Sequence, residues 1–144
     1  MPQNKGATVL TKNRNSIRDG VVKVNAVDYA GLVGEFIMKN QTGMLSFNKG
    51  TVEMEPRSSL VIRAELDSNL IFISKPAFRE FLSENMVSSR EIVHELNKMG
   101  INVTENKKRM GAGWKDAAAS TPVMTYKFPL ASFDKILETI NDNA

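Results

Sequence analysis

ISKPAFREFLSENM, from Ile73 to Met86, and SSREIVHELNKMG, from Ser88 to Gly100, stand back to back near the middle of the chain. In the first, Phe78, Phe81, Leu82 and Met86 recur at the spacing of one helical face. Ser74 occupies an N-cap position and Pro76 falls near the first helical residue, where its missing N–H costs nothing. In the second, Ile92, Val93, Leu96 and Met99 make the apolar face. Ser88 or Ser89 can cap it, Glu91 lies at capping-box spacing from Ser88, and Gly100 supplies the stop. Only Val87 and Ser88 separate the two helices, so they must meet at a sharp angle.

The residues on either side extend this reading. INVTE (Ile101 to Glu105) alternates as a strand and runs into a basic, glycine-rich tip, NKKRMGAGWK (Asn106 to Lys115). VMTYKFPL (Val123 to Leu130) alternates more strongly, with Met124, Tyr126, Phe128 and Leu130 on one side. Pro122 and Pro129 bracket it, which suits an edge or short strand. Helix, tight turn, helix and basic hairpin together spell a winged helix-turn-helix. Upstream, Tyr29, Leu32, Val33, Phe36 and Ile37 predict a helix capped by Asp28 and ending near Asn40. A hairpin is expected around Asn48-Lys49-Gly50. SLVIRAEL (Ser59 to Leu66) and LIFI (Leu70 to Ile73) read as an antiparallel pair about the turn Asp67-Ser68-Asn69. A last helix capped by Ser132 carries Phe133, Ile136, Leu137 and Ile140. The expected fold class is α+β: a winged helix-turn-helix with an additional N-terminal helix and β-hairpin and a C-terminal helix. Residues 1–26 read as a flexible basic arm or linker, or as an end without a role, and residues 27–144 as the domain.

Composition bounds what such a domain can do. The chain has 144 residues, 42% of them hydrophobic and 24% charged, which is the balance of a globular domain with one core. It has no cysteine, so disulfides and thiolate metal sites are excluded, and a cytoplasmic location is expected. No apolar run approaches the roughly 18 residues of a membrane span, so no membrane partner is expected. The net charge of +3 is mild, but it is unevenly spread. Lys5, Lys12, Arg14, Arg18 and Lys23 crowd the first 26 residues, and Lys107, Lys108, Arg109 and Lys115 crowd the tip.

Chemistry is hard to find. There is no phosphate-binding GxxxxGK[ST] loop and no GxGxxG after a strand, and the single histidine, His94, has no nucleophile near it in sequence. Glu53/Glu55 and Glu65/Asp67 alternate along strands as solvated faces do. No enzyme and no cofactor are expected.

Nucleic acid is the partner that the pattern favours. The second helix of such a motif enters the major groove, and here it would offer Ser89, Arg90, His94, Asn97 and Lys98. Arg90 suits guanine and Asn97 suits adenine, whereas Glu91 and Glu95 share the surface and repel phosphates. The same residues also fit the solvated half of an amphipathic helix. The tip is the sharper signal. Lys107, Lys108, Arg109 and Lys115 can neutralise phosphates, and Trp114 can stack on a base or enter a minor groove. The alternative is a mobile hairpin loop whose tryptophan folds back on the core.

The helix DYAGLVGEFI, the pair LVIRAEL and LIFISKPAFREFL, the segment SSREIVHELNKMGI and the basic KKRMGAG carry a family resemblance. The stretch from about Asp28 to Leu130 resembles the C-terminal region of primase–helicase proteins of phages and mobile elements. In these, an AAA+-type or superfamily 3-like helicase core precedes a small winged-helix domain. The resemblance implies a DNA-binding domain of a replication protein, and partners that include single- or double-stranded DNA and a helicase or primase core. It does not bring ATPase or unwinding activity, because the phosphate-binding motif is missing. A protein-interaction module of the same fold is the alternative, and a structural or virion protein using the strands between Met44 and Ile73 is a third.

Overall fold

In the computed structural model, which describes residues 27–114 and 121–133, the chain enters through α1 (Tyr29–Lys39). The carboxylate of Asp28 accepts from the Gly31 backbone N–H at 2.9 Å, as its capping position requires. A 3-10 turn, Gln41–Gly43, then leads to β1 (Met44–Asn48) and β2 (Thr51–Met54). Lys49 and Gly50 join these strands with φ of 53° and 79°, the pair of positive angles that a type I′ hairpin turn demands.

The next loop does something periodicity does not show. The backbone N–H groups of Arg57 and Ser58 donate to the Thr42 carbonyl, and Val61 N–H donates to the Gly43 carbonyl. A Cβ on Gly43 would lie 2.4 Å from the Ser59 carbonyl oxygen, so only glycine permits this approach. The loop is thereby laced to the 3-10 turn. It delivers β3 (Ile62–Glu65) parallel to β1, on the side away from β2. β3 then turns through Leu66–Asn69 into β4 (Leu70–Ser74), an antiparallel pair.

Two helices follow, α2 (Lys75–Glu84) and α3 (Ser89–Lys98). Ser74 and Ser88 cap them, each side chain accepting a backbone N–H from its first turn. Both helices end in the same way. After α2, Val87 N–H reaches back to the Leu82 carbonyl and Met86 N–H to Ser83. After α3, Ile101 N–H reaches Leu96 and Gly100 N–H reaches Asn97. These paired bonds are Schellman motifs. Gly100 takes the left-handed position of the second without strain, whereas Met86 fills that of the first with φ 58°.

β5 (Thr104–Lys108) and β6 (Val123–Pro129) complete one six-stranded sheet, ordered β2-β1-β3-β4-β6-β5. Two sequence expectations are corrected here. β5 begins at Thr104 rather than Ile101, because residues 101–103 are spent leaving the helix. Asn106, Lys107 and Lys108 consequently belong to the strand and not to the tip. β6 is not an edge: it lies between β4 and β5, paired antiparallel to both. Its prolines sit before its start and at its last residue, where a missing N–H costs the ladder little. A 3-10 turn, Leu130–Phe133, follows, and the expected helix beyond it lies outside the described residues, as do the arm 1–26 and Lys115.

The helices cover one face of the sheet. Phe36 of α1 and Phe78 and Phe81 of α2 meet edge-on and stacked, and Phe78 continues onto Tyr126 and Phe128 of β6. Ile92 and Leu96 of α3 and Ile62, Ala64, Ile71 and Ile73 of the central strands complete this core. Most of its members are apolar positions that sequence spacing assigned to helix stripes and inward strand faces, but Met86 and Met99, read into the stripes of α2 and α3, are exposed, because each lies where its helix has already ended. The fold is α+β.

Candidate nucleic-acid interface

Helix α3 is amphipathic, so burying Ile92 and Leu96 turns Arg90, His94, Asn97 and Lys98 to solvent, with Ser89 half-buried at its first turn. These residues do not form a uniform basic face. The Tyr29 hydroxyl donates to the Glu91 carboxylate at 2.5 Å, tying α1 to α3. Partial burial, aided by that carboxylate, pushes the tyrosine's pKa up to about 12. Lys98 lies 3.6 Å from Glu95, one turn earlier. Asn97 is committed to the backbone at both ends of its amide: Nδ2 donates to the Val93 carbonyl, and Oδ1 accepts from the Val103 N–H. It therefore fastens α3 to the approach to β5. Arg90 and His94 are the two outward groups of α3, among those singled out, that have no ion pair or hydrogen bond among the described residues.

The basic segment divides in the structure. Strand alternation sends Lys107 to the helix side of β5, opposite Met124, and Lys108 to the far side, opposite Val123. Lys107 is exposed. Lys108 is engaged: its ammonium lies 3.1 Å from the Glu65 carboxylate and 4.6 Å from the centre of the Phe72 ring. Beyond β5 the tip curls back over this far face of the sheet. Met110 and Gly111 are buried beneath it, and Arg109 is exposed.

One buried side chain anchors the tip there. Arg63 of β3 is only 8% exposed. Its Nη1 donates to the carbonyls of Met110 at 2.8 Å and Ala112 at 2.6 Å, and its Nε donates to Glu65 at 2.7 Å. Its guanidinium plane also sits 4.3 Å from the centre of the Phe47 ring. Burial works to raise the Glu65 pKa, but hydrogen bonds from Arg63 and Lys108 outweigh it and hold the carboxyl below its ordinary range. At the end of the tip, Trp114 is half-buried and its indole N–H donates to Glu55 at 3.2 Å.

The sequence puts Val61, Arg63 and Glu65 on one side of the strand and reads Glu65 as part of a solvated face; the structure corrects this, because the tip covers both charged side chains. Alternation does signal that face. It cannot signal that the arginine's partners are backbone carbonyls far along the chain. Reading also passed over Lys75 and Arg79, the cations on the outer side of α2. Lys75 pairs with Glu105 of β5 at 2.7 Å, and this contact raises its pKa. Among the described residues Arg79 has neither an ion pair nor a hydrogen bond.

No protein-family model, curated protein or solved structure matches this chain. Among the described residues no helix is long and apolar enough to cross a membrane, and no group of three or more metal-ligating side chains converges.

Proposed function

We propose that this is a non-catalytic DNA-binding domain of winged-helix type, serving a phage or mobile-element replication protein and docking beside its helicase or primase core. The observation that carries the reading is the strand order β4-β6-β5, with α2 and α3 crossing between β4 and β5. A winged helix threads its sheet and helix pair in that way. Lys107 and Arg109, exposed on the edge strand and at the start of the tip, are the wing cations best presented to phosphate. Arg90 and His94 are the α3 groups best presented to base edges. Phosphate contacts anchor the domain, and base reading is modest.

Fluorescence anisotropy with labelled DNA at several salt concentrations tests this reading. Binding should weaken with a log–log salt slope of about −0.9 for each phosphate contacted on duplex. Replacing Lys107 and Arg109 together by alanine should flatten the slope by about two units, one per cation removed. Absence of binding to any DNA at low salt, or an unchanged slope in the double variant, overturns it.

One observation favours a second reading, a protein-interaction module. The open side of α3 is nearly balanced in charge, with Glu91 held by Tyr29 and Glu95 beside Lys98. A surface of that kind suits a protein better than a polyanion. Self-association in sedimentation experiments, together with no DNA binding, would favour it.

A further inference from the structure

The outer side of α2 carries two adjoining clefts, of about 550 and 390 Å³, joined by Arg79, which lines both. The first has Lys75, Pro76, Glu80 and Met124 around it. The second runs from Arg79 past Ser83 and the apolar Met86 and Val87 to Ser88 and Ser89 at the start of α3. Met124 forms part of the wall and pairs across the sheet with Lys107, so the Lys107 side chain leaves the edge strand on this same side. Of α3 only its first residue, Ser89, reaches these clefts, and the curled tip does not.

Three features fix the chemistry of what fits. Arg79 and Lys107 are exposed and without ion-pair partners among the described residues, and Glu80 is the single acid of the lining. An unpaired guanidinium presents a planar fork that matches phosphate oxygens. The hydroxyls of Ser83, Ser88 and Ser89 continue the cleft with groups that donate to phosphate and carry no charge of their own. Finally, no aromatic ring lines either cleft: Tyr126 and Phe78 are buried beneath. A single strand would need such a ring to receive its unstacked bases.

We infer that the joined clefts seat the phosphodiester backbone of one strand of duplex DNA, with Arg79 at the centre and Lys107 on the edge-strand wall. α2 extends roughly 15 Å at 1.5 Å per residue. A strand carries one phosphate for each 3.4 Å of duplex axis, so several phosphates pass along the cleft. The inference rests on the DNA-binding reading and sharpens it. The main electrostatic grip lies on α2 and the helix side of β5, while α3 supplies Arg90 and His94 from beside it.

The test is duplex and single-strand anisotropy on the full chain carrying Arg79→Ala, Arg79→Glu or Glu80→Gln. Arg79 is exposed, so unchanged thermal melting is the check that each variant is folded. Arg79→Ala should reduce the duplex salt slope by about one unit, and Arg79→Glu should weaken binding further. Glu80→Gln should tighten it. If both Arg79 variants bind duplex as the parent does, while Arg109→Ala is weakened, the cleft is excluded and the DNA reading stands. If single-stranded DNA loses as much as duplex, the assignment to duplex fails. If the parent chain binds no DNA at all, the DNA reading itself falls and the cleft with it.

Discussion

The two faces of the sheet are closed by different physics. On the helix side, Phe36, Phe78, Phe81, Tyr126, Phe128 and Phe133 contact one another at centroid distances of 5.2 to 6.4 Å, and the remainder of the core is aliphatic. On the far side, Leu45, Phe47 and Phe72 are just as buried, but they lie among Arg63, Glu65 and Lys108 under the tip. Hydrophobic burial is non-directional and shared by many residues, so the first face should fail only when the whole domain fails. The second depends on a few directed bonds, three of them from one guanidinium. It can open locally while the rest stays folded.

The largest effect is expected on the helix side. Phe78 is fully buried and touches four other aromatic rings. Phe78→Ala should cost about 3–5 kcal/mol, the range for deleting a buried phenyl ring. Denaturant unfolding should show one cooperative loss of the helical signal. A loss under about 1 kcal/mol, or a helical signal lost in separate steps, would mean that this face is not the common core.

That core was largely legible from the sequence, and the far face was not. The stripes of α1, α2 and α3, the serine caps at 74 and 88 and the Lys49-Gly50 turn are local signals, set by residues a few positions apart. The parallel β1–β3 pairing hangs instead on backbone bonds from residues 57, 58 and 61 to the carbonyls of Thr42 and Gly43, which no periodicity encodes. The interior place of β6 depends likewise on β5 arriving from beyond two helices. The candidate interface shows the same split. Lys107 and Lys108 are adjacent in sequence and equal in charge, yet one is exposed with no ion pair among the described residues and the other is locked onto Glu65. Their roles separate only once the strand is given two sides.

Arg63→Met strikes the second face directly. It keeps most of the side-chain volume but removes the donors to Met110, Ala112 and Glu65. The expected loss is about 2–3 kcal/mol, that of hydrogen bonds to a charged group inside a protein. Trp114 is the sole tryptophan of the chain and sits at the end of the tip, so its emission reports on this region alone. In the variant it should shift to the red with the helical signal intact. Red-shifted emission without loss of helix separates the two faces, and joint loss of both signals erases the distinction.

Acid should act on the same hub more gently. The folded pKa of Glu65 is depressed below its ordinary value of 4.5, so the folded state holds this carboxylate ionised more strongly than the unfolded chain does. Its stabilisation is present in full above about pH 4.5 and is lost as pH falls through the lower folded value. The Trp114 emission of the parent should therefore be constant above that pH and move to the red below it, before helix is lost. In Glu65→Gln this early step should disappear. An early step that persists in the glutamine variant assigns it to another acid.

The smallest effect isolates what charge contributes to the far face. Lys108 is partly exposed, between Glu65 and the Phe72 ring. Lys108→Met keeps an unbranched chain over Phe72 and removes only the ammonium, and replacing a member of an ion pair by a well-packed apolar group is often close to neutral. Because Arg63 still bonds Glu65, the carboxylate keeps a partner, and the expected change is under about 1 kcal/mol of either sign. The tip should stay docked, with Trp114 emission as in the parent. A loss as large as that of Arg63→Met would make the two cations equal members of the hub. A small loss makes Arg63, rather than Lys108, the cation on which the docking of the tip turns.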